Sequence, residues 1–386
     1  MPSTLSGELG PALSEPPIRV VIAGGGVAGL ETLLALHALA GERVELTLIA
    51  PEDEFVFRPL AVKEPYAVGR SRKVPLDRAA RAAAAAFFPW TVDAVDVGAR
   101  VVSTSTGREF EYDALVLAVG AQAVPKVAHA MTWDDRVGAE TVGGLLQDFE
   151  LGYSRRLAVV LPPGPGWPLR AYELALFITL DANGMGMDVD TTIVTPEASP
   201  LATLGAQALE RVSNELQQAG IAVRFADHAD VEPGHPTAVV LQPTGERLEV
   251  DRVLALPVLR GNRIPGIPVD PDGFIDTDEH CRARGTDHLW AVGDGTAFPV
   301  KSGGFAAEQA DVAAEDIAAL AGAAIEPRGF GPALHPELVG LPAGRFLTAW
   351  LGASEHEELT THLPARGVPV LTYLQRDFQA GWRGRI

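Results

Sequence analysis

Residues 18–31 place three glycines between an apolar strand and the start of a helix. Their G-x-G-x-x-G spacing predicts a dinucleotide site. Gly24 permits a tight turn, Gly26 lets the main chain approach a pyrophosphate, and Gly29 allows the helix to pack closely on the strand. The helix start adds amide donors and a positive dipole end. The alternative, a glycine-rich turn without a ligand, is disfavoured because strand and helix flank the glycines. The predicted contacts are Gly24, Gly26, Val27, Ala28 and Gly29.

Two later apolar strands also end in small residues. One begins at Tyr112 and the other at Leu289, and a long helix follows the second strand. Because these strands stand far apart in the sequence, the pattern indicates one dinucleotide-binding domain that is split along the chain. The residues predicted to approach the ligand here are Ala118, Gly120, Gly293 and Asp294.

In this order the three motifs resemble the pyridine nucleotide-disulfide oxidoreductase superfamily of flavoproteins. Within it, the chain is similar to the branch of sulfide:quinone reductases and type II NADH dehydrogenases, over about residues 17–350. The resemblance implies bound FAD and an α/β fold with two interleaved Rossmann-like domains. The expected limits are a flexible leader (1–16), a split FAD-binding domain (17–125 and 257–325), a second nucleotide-fold domain (126–256) and a C-terminal cap (326–386).

Cys281 is the one cysteine among 386 residues, which excludes a redox-active cysteine pair. Neither disulfide reduction nor cysteine-based sulfur transfer is therefore expected, and we predict a structural role for this thiol. The net charge of -19 argues against nonspecific binding to nucleic acid or to an anionic membrane. Without an export signal or an apolar run near the ~20 residues of a membrane span, a cytoplasmic location is expected. The histidines show no metal-ligand spacing, so no metal is expected.

The adenosine half of FAD has two candidate contacts. An acidic residue that binds the ribose is expected at the end of the second strand, but Ala50 stands there, and Glu52 becomes the candidate. Arg58 is expected to contact phosphate or ribose, with a surface salt bridge as the alternative. Beyond it, the alanine-rich run 78–86 predicts a helix.

At the flavin end, the resemblance implies that Asp294 binds the ribityl chain or a nearby phosphate. Lys301 resembles a lysine of the sulfide:quinone reductases. It is expected to stabilise the reduced flavin or to orient an acceptor, against the alternative of a solvated lysine. The following helix is expected to present its N-terminus to the flavin, at Gly303, Gly304 and Phe305.

The second domain departs from the family at Pro162–Pro168, which stands in place of a glycine-rich loop. Four prolines remove four amide donors, so binding of a nicotinamide cofactor is disfavoured. If one binds, Glu197 is the candidate ribose ligand and NADH is favoured over NADPH, because no arginine stands beside Glu197. Glu173 matches the family position of a proton-transferring glutamate, and a surface glutamate near a helix start is the alternative.

The expected activity is transfer of hydride or two electrons between FAD and a small organic donor or acceptor, with a quinone among the candidates. Lys301 and Glu173 are the candidate catalytic residues. Two alternatives stay open: an NADH-dependent flavin reductase, and a non-catalytic FAD-binding partner of another protein. The aromatic C-terminal region leaves peripheral membrane docking and a homodimer open.

Overall fold

The computed structural model describes residues 16–56, 73–201, 206–331, 337–338 and 347–348. Nearly all of the predicted leader, Arg58 and most of the predicted C-terminal cap lie outside these residues. In the described part of the chain, no helix combines the length and the apolar character needed to cross a membrane.

Five parallel strands form the first sheet: β1 (Ile18–Ala23), β2 (Val44–Ile49), β5 (Ala86–Phe88), β9 (Ala114–Leu117) and β20 (Leu289–Ala291). They lie in the order β20-β9-β1-β2-β5, so a strand from the distant part of the chain completes the sheet. One face is covered by α1 (Val27–Ala40), α2 (Leu76–Ala82) and α6 (Gly303–Leu320). The other face carries an antiparallel sheet of β6 (Val92–Asp96), β7 (Val101–Thr104) and β8 (Glu109–Glu111).

The helix expected over 78–86 is partly wrong. The helix α2 ends at Ala82, and Ala86–Phe88 is the edge strand β5, paired in parallel with β2. Alanine favours a helix locally, but here the hydrogen bonds to β2 and the packing of the partly buried Phe87 against the core decide the conformation.

A second parallel sheet contains β11 (Met131–Thr132), β12 (Arg156–Val160), β13 (Asp190–Thr195), β14 (Ala222–Phe225) and β18 (Arg252–Ala255). Its order is β11-β18-β12-β13-β14. The helices α3 (Gly138–Glu150), α4 (Leu169–Gly184) and α5 (Ala206–Gln218) share a core with one face. The antiparallel strands β15 (His228–Glu232), β16 (Thr237–Gln242) and β17 (Glu246–Val250) cover the other face.

The chain leaves the first sheet through β10 (Ala121–Val124) and returns through β19 (Val258–Gly261), and these two strands pair antiparallel. Two further antiparallel pairs are short: β3 (Glu54–Val56) with β4 (Lys73–Pro75), and β21 (Glu337–Leu338) with β22 (Leu347–Thr348). Two parallel sheets, each layered with helices, confirm the predicted α/β class.

Candidate functional site

Two of the three glycines of the G-x-G-x-x-G motif, Gly24 and Gly29, leave no room for a side chain. Gly24 has φ +117°, which L side chains rarely adopt, and a Cβ there would overlap the main-chain carbonyl of Ala118. A Cβ on Gly29 would overlap the carbonyl oxygen of Gly24, so α1 lies directly against the loop. A Cβ on Gly26, in contrast, would meet no protein atom within 4 Å. This open space beside a helix start fits the pyrophosphate of FAD.

The first turns of α1 and α6 meet at Gly293, which has φ +77°. A Cβ built there would lie 3.1 Å from Ala28 Cβ in α1 and 3.5 Å from Ala306 Cβ in α6. At the start of α6, the Phe305 main-chain N–H donates to Ser302 Oγ at 3.3 Å. Two helix starts, each with a positive dipole end, therefore converge on one turn, and this setting favours negative charge.

A buried polar network behind this turn is a feature that sequence reasoning missed. The Gly293 N–H donates to Gln309 Oε1 at 2.7 Å, and Gln309 Nε2 donates to Thr296 Oγ1 at 3.3 Å. Thr296 Oγ1 in turn donates to the Gly293 carbonyl at 3.0 Å. Buried polar groups require such partners, so the network fixes the turn to α6. The one available signal was an uncharged polar residue, Gln309, among alanines.

Lys301 lies in this interior with 4% of its surface exposed, so the solvated alternative is wrong. Its Nζ donates to the Thr296 carbonyl and lies 4.0 Å from the centroid of the Phe274 ring. Burial lowers the pKa of Lys301 to about 8, against the opposing charges of Asp294 and Asp270. The nearby carboxylates therefore offset only part of the cost of burying the Lys301 ammonium group.

Asp294 is half-buried in the same turn. Burial raises the pKa of its carboxyl group, and the positive charge of Lys301 opposes that rise. Asp294 and Lys301 therefore influence each other's charge, although the structure places the Lys301 ammonium on the Thr296 carbonyl. Binding of the ribityl chain by Asp294 stays a prediction.

Glu173 is buried in α4, with 4% exposure, so the alternative of a surface glutamate is wrong. A buried carboxylate in the helix that follows β12, the middle strand of the second sheet, is a candidate site residue. Its role in proton transfer stays a prediction.

The loop 161–168 joins β12 to α4 with eight residues, whereas residues 24–26 join β1 to α1 with three. Its Gly166 N–H donates to the Pro299 carbonyl at 3.3 Å, and its carbonyl accepts from the Lys301 N–H at 3.0 Å. Gly166 is therefore bonded on both sides to the segment that leads into α6, and its amide is not available to a phosphate.

Glu197, the candidate ribose ligand of the second domain, follows β13. Its Oε2 accepts from Tyr172 OH at 2.7 Å and from Thr195 Oγ1 at 3.1 Å, while its Oε1 is buried without a hydrogen-bond partner among the described residues. Burial raises the pKa of Glu197, against the lowering effect of the two hydroxyls and of the Leu201 main-chain amide. The oxygen Oε1 is therefore shielded from solvent, and ribose binding by Glu197 stays a prediction.

At the adenosine end, Ala50 is fully buried and its N–H donates to the Phe88 carbonyl at 3.1 Å. Glu52 is exposed in the turn that follows, so its carboxylate is accessible to a ribose, and that contact stays a prediction. Gly120 has φ +66°, and Asn262 Nδ2 donates to its carbonyl at 3.3 Å. Asn262 carries no motif, so sequence reasoning missed this contact. Arg58 lies outside the described residues.

Cys281 is 1% exposed, and burial raises the pKa of its thiol to about 12. The thiolate needed for nucleophilic chemistry is therefore strongly disfavoured. Among the described residues, no group of three or more His, Cys, Asp or Glu side chains is placed to hold a metal ion.

Comparison with known proteins identifies the family of this chain and shows which solved structures share its fold. The family model for pyridine nucleotide-disulphide oxidoreductases matches residues 18–316. An NADH dehydrogenase-like protein of Mycobacterium tuberculosis is 28% identical over 298 residues, which cover 72% of each chain.

Two solved structures share the fold. The sulfide:quinone oxidoreductase of Aquifex aeolicus has a TM-score of 0.68 at 20% identity and covers 78% of this chain and 76% of its own. NDH2 of Plasmodium falciparum has a TM-score of 0.57 at 16% identity and covers 74% of this chain and 65% of its own. Because the family model matches most of the chain and the glycine loop fits its cofactor, the protein is an FAD-dependent oxidoreductase that belongs to the pyridine nucleotide-disulphide oxidoreductase family.

Proposed function

We propose that the protein transfers two electrons between bound FAD and a small organic molecule, with a quinone as the leading acceptor. The observation that carries the proposal is the buried Lys301 beside the turn where the starts of α1 and α6 converge. FAD, when bound, supplies the two-electron chemistry. The chain supplies position and charge, because its single buried cysteine cannot relay electrons through a dithiol.

In this proposal, the loop at Gly24–Gly29 holds the pyrophosphate and Glu52 the adenosine ribose. Gly293 and Asp294 approach the ribityl chain, and Gly303 and Gly304 bring the start of α6 to the flavin. Lys301 stabilises the negative charge that collects on a reduced flavin, since a buried cation acts strongly at low dielectric. Glu173 moves a proton.

The preference for a quinone is supported by the fold shared with a sulfide:quinone oxidoreductase. The single cysteine argues only against a donor that requires cysteine-based sulfur transfer.

The test is anaerobic reoxidation. FAD-loaded protein is photoreduced and mixed with a water-soluble benzoquinone, and the return of the oxidised flavin absorption is followed. Rapid reoxidation that is slowed in Lys301→Met but not in Lys126→Met, a matched exposed lysine, supports the proposal. Slow reoxidation by all quinones, together with slow reduction by all donors, would instead support the non-catalytic FAD-binding alternative.

The second candidate function is an NADH-dependent flavin reductase. It is favoured by the position of Glu197 just after β13, where a ribose-binding carboxylate is expected, and by the name of the NADH dehydrogenase-like relative. The loop 161–168 opposes it, because its prolines lack amide donors.

Anaerobic addition of NADH and, separately, of NADPH decides between the two. Bleaching by NADH that is lost in Glu197→Gln but kept in Glu140→Gln, an exposed control, would establish the reductase. A flavin spectrum that neither cofactor changes would remove it. Cell fractionation distinguishes the expected cytoplasmic location from docking at a membrane surface, and light scattering distinguishes a monomer from a homodimer.

A further inference from the structure

The loop 161–168 contacts a part of the chain far away in sequence. Gly166 forms a parallel bridge with Val300, made by its N–H to the Pro299 carbonyl at 3.3 Å and by the Lys301 N–H to its own carbonyl at 3.0 Å. The equivalent loop of the first domain, 24–26, faces open space at Gly26. The two loops therefore serve different contacts.

Two of the loop's four main-chain donors are used inside the protein. Prolines occupy 162, 163, 165 and 168, the Leu161 N–H donates to the Val194 carbonyl at 2.8 Å, and the Gly166 N–H donates to the Pro299 carbonyl. The first amides of α4 turn inward too, because the Arg170 N–H donates to the Trp167 carbonyl at 3.2 Å and the Ala171 N–H to the Pro168 carbonyl at 3.0 Å. A loop of this kind is a rigid internal support, since each proline fixes one φ angle.

Packing attaches the same two segments to each other. Trp167 from the loop and Phe298 and Val300 from the opposite segment pack against the core of the second sheet, where Phe305 at the start of α6 is itself buried. The Phe298 and Phe305 ring centroids are 5.0 Å apart. The start of α6, which the proposed function places at the flavin, therefore packs against the core of the second domain.

Lys301 is held at both ends by these contacts. Its main-chain N–H donates to Gly166, and its Nζ donates to the carbonyl of Thr296, whose hydroxyl accepts from Gln309. A shift of the loop would move the Lys301 main chain while Thr296 and Gln309 still hold the far end. The position of the ammonium group therefore depends on both anchors.

We propose that the loop 161–168 is a positioning element for Lys301, with Gly166 as its contact residue, in place of a nucleotide-binding role. The inference rests on the proposed function, in which Lys301 stabilises the reduced flavin. It adds that the second domain controls how readily the flavin is reduced, without binding a ligand itself.

The test is the midpoint potential of bound FAD, measured by spectroelectrochemistry. In Lys301→Met the ratio of reduced to oxidised flavin at a fixed potential should fall by about tenfold. This change corresponds to a midpoint potential about 30 mV lower. Gly166→Pro, which lacks the N–H donated to Pro299, should lower the ratio by about three- to tenfold. Gly166→Ala keeps both main-chain hydrogen bonds and has open space for its Cβ, so it should stay within about twofold of the parent protein.

The outcomes separate the two proposals. An unchanged potential in Lys301→Met would remove the proposed role of Lys301 itself. If the midpoint potential is lower in Lys301→Met but is the same in Gly166→Pro and Gly166→Ala, the positioning role of the loop is overturned and the proposed function stands. If Gly166→Pro fails to bind FAD, Trp167→Ala decides instead, because it loosens the loop by removing packing, and a parent-like potential there would likewise overturn the inference.

Discussion

Replacing Gly29 by alanine should destabilise the fold, because the added methyl group meets main-chain atoms. Its Cβ would overlap the Gly24 carbonyl oxygen and lie 3.4 Å from Ala118 Cβ. No side-chain rotation relieves an overlap with the main chain, so α1 and the glycine loop must separate. Overpacking of this kind costs about 1–3 kcal/mol, and we expect the upper end. The better helix propensity of alanine returns about 1 kcal/mol, which leaves a net loss of about 2 kcal/mol.

Gly26→Ala is the matched control for this loss and a test of the cofactor position. Its Cβ meets no protein atom within 4 Å, and its φ of -78° suits any residue. Alanine is a poorer N-cap than glycine, so the apo-protein should lose about 1 kcal/mol or less. A pyrophosphate in the open space would meet the new methyl group. If that contact costs about 1–3 kcal/mol, FAD affinity falls about 5- to 150-fold.

Two assays separate these effects: urea unfolding of the apo-proteins and titration of the apo-proteins with FAD, followed by flavin fluorescence. We expect the larger stability loss in Gly29→Ala, and in Gly26→Ala a loss of affinity beyond what its stability explains. Parent-like FAD affinity in Gly26→Ala, within about twofold, would refute the placement of the pyrophosphate over this loop. Parent-like stability in Gly29→Ala would refute the packing argument.

Burial lowers the pKa of Lys301 to about 8 from 10.5. The unfolded chain keeps this proton to higher pH than the folded protein does. The free energy of unfolding of the apo-protein should therefore rise by up to ~3 kcal/mol between about pH 8 and 10.5. If urea unfolding gave the same pH profile for the parent protein and for Lys301→Met, this prediction would be contradicted. Asp316 is 4% exposed and accepts from Arg282 at 2.6 Å and from Trp290 at 2.8 Å, so its change to alanine should cost about 1–3 kcal/mol in the same assay. Changing the exposed Arg136, which pairs with Asp134, to alanine should lower the free energy of unfolding by less than about 1 kcal/mol. Equal losses in the two variants would argue against the effect of burial. Cys281 should react with a thiol reagent only after unfolding, and Cys281→Ala should keep flavin reduction; rapid labelling of the native protein would show the opposite.

Much of the first domain could be predicted because its constraints are local. The roles of Gly24 and Gly29 follow from a tight turn and a close helix, and both requirements are visible in the spacing of neighbouring residues. The edge strand Ala86–Phe88 could not be predicted from local preference, because its conformation depends on pairing with β2. The same limit hid Gln309 and Asn262, whose partners stand in other segments.

The sequence by itself determined the family resemblance, the lack of a redox-active cysteine pair and the unusual proline loop, and it predicted the split of the first domain, since each depends on residue type and spacing. Only the tertiary structure decided that Lys301 and Glu173 are buried and that Gly166 holds the Lys301 main chain. Burial and long-range hydrogen bonds arise when segments distant along the chain pack together. No pattern of neighbouring residues contains that information.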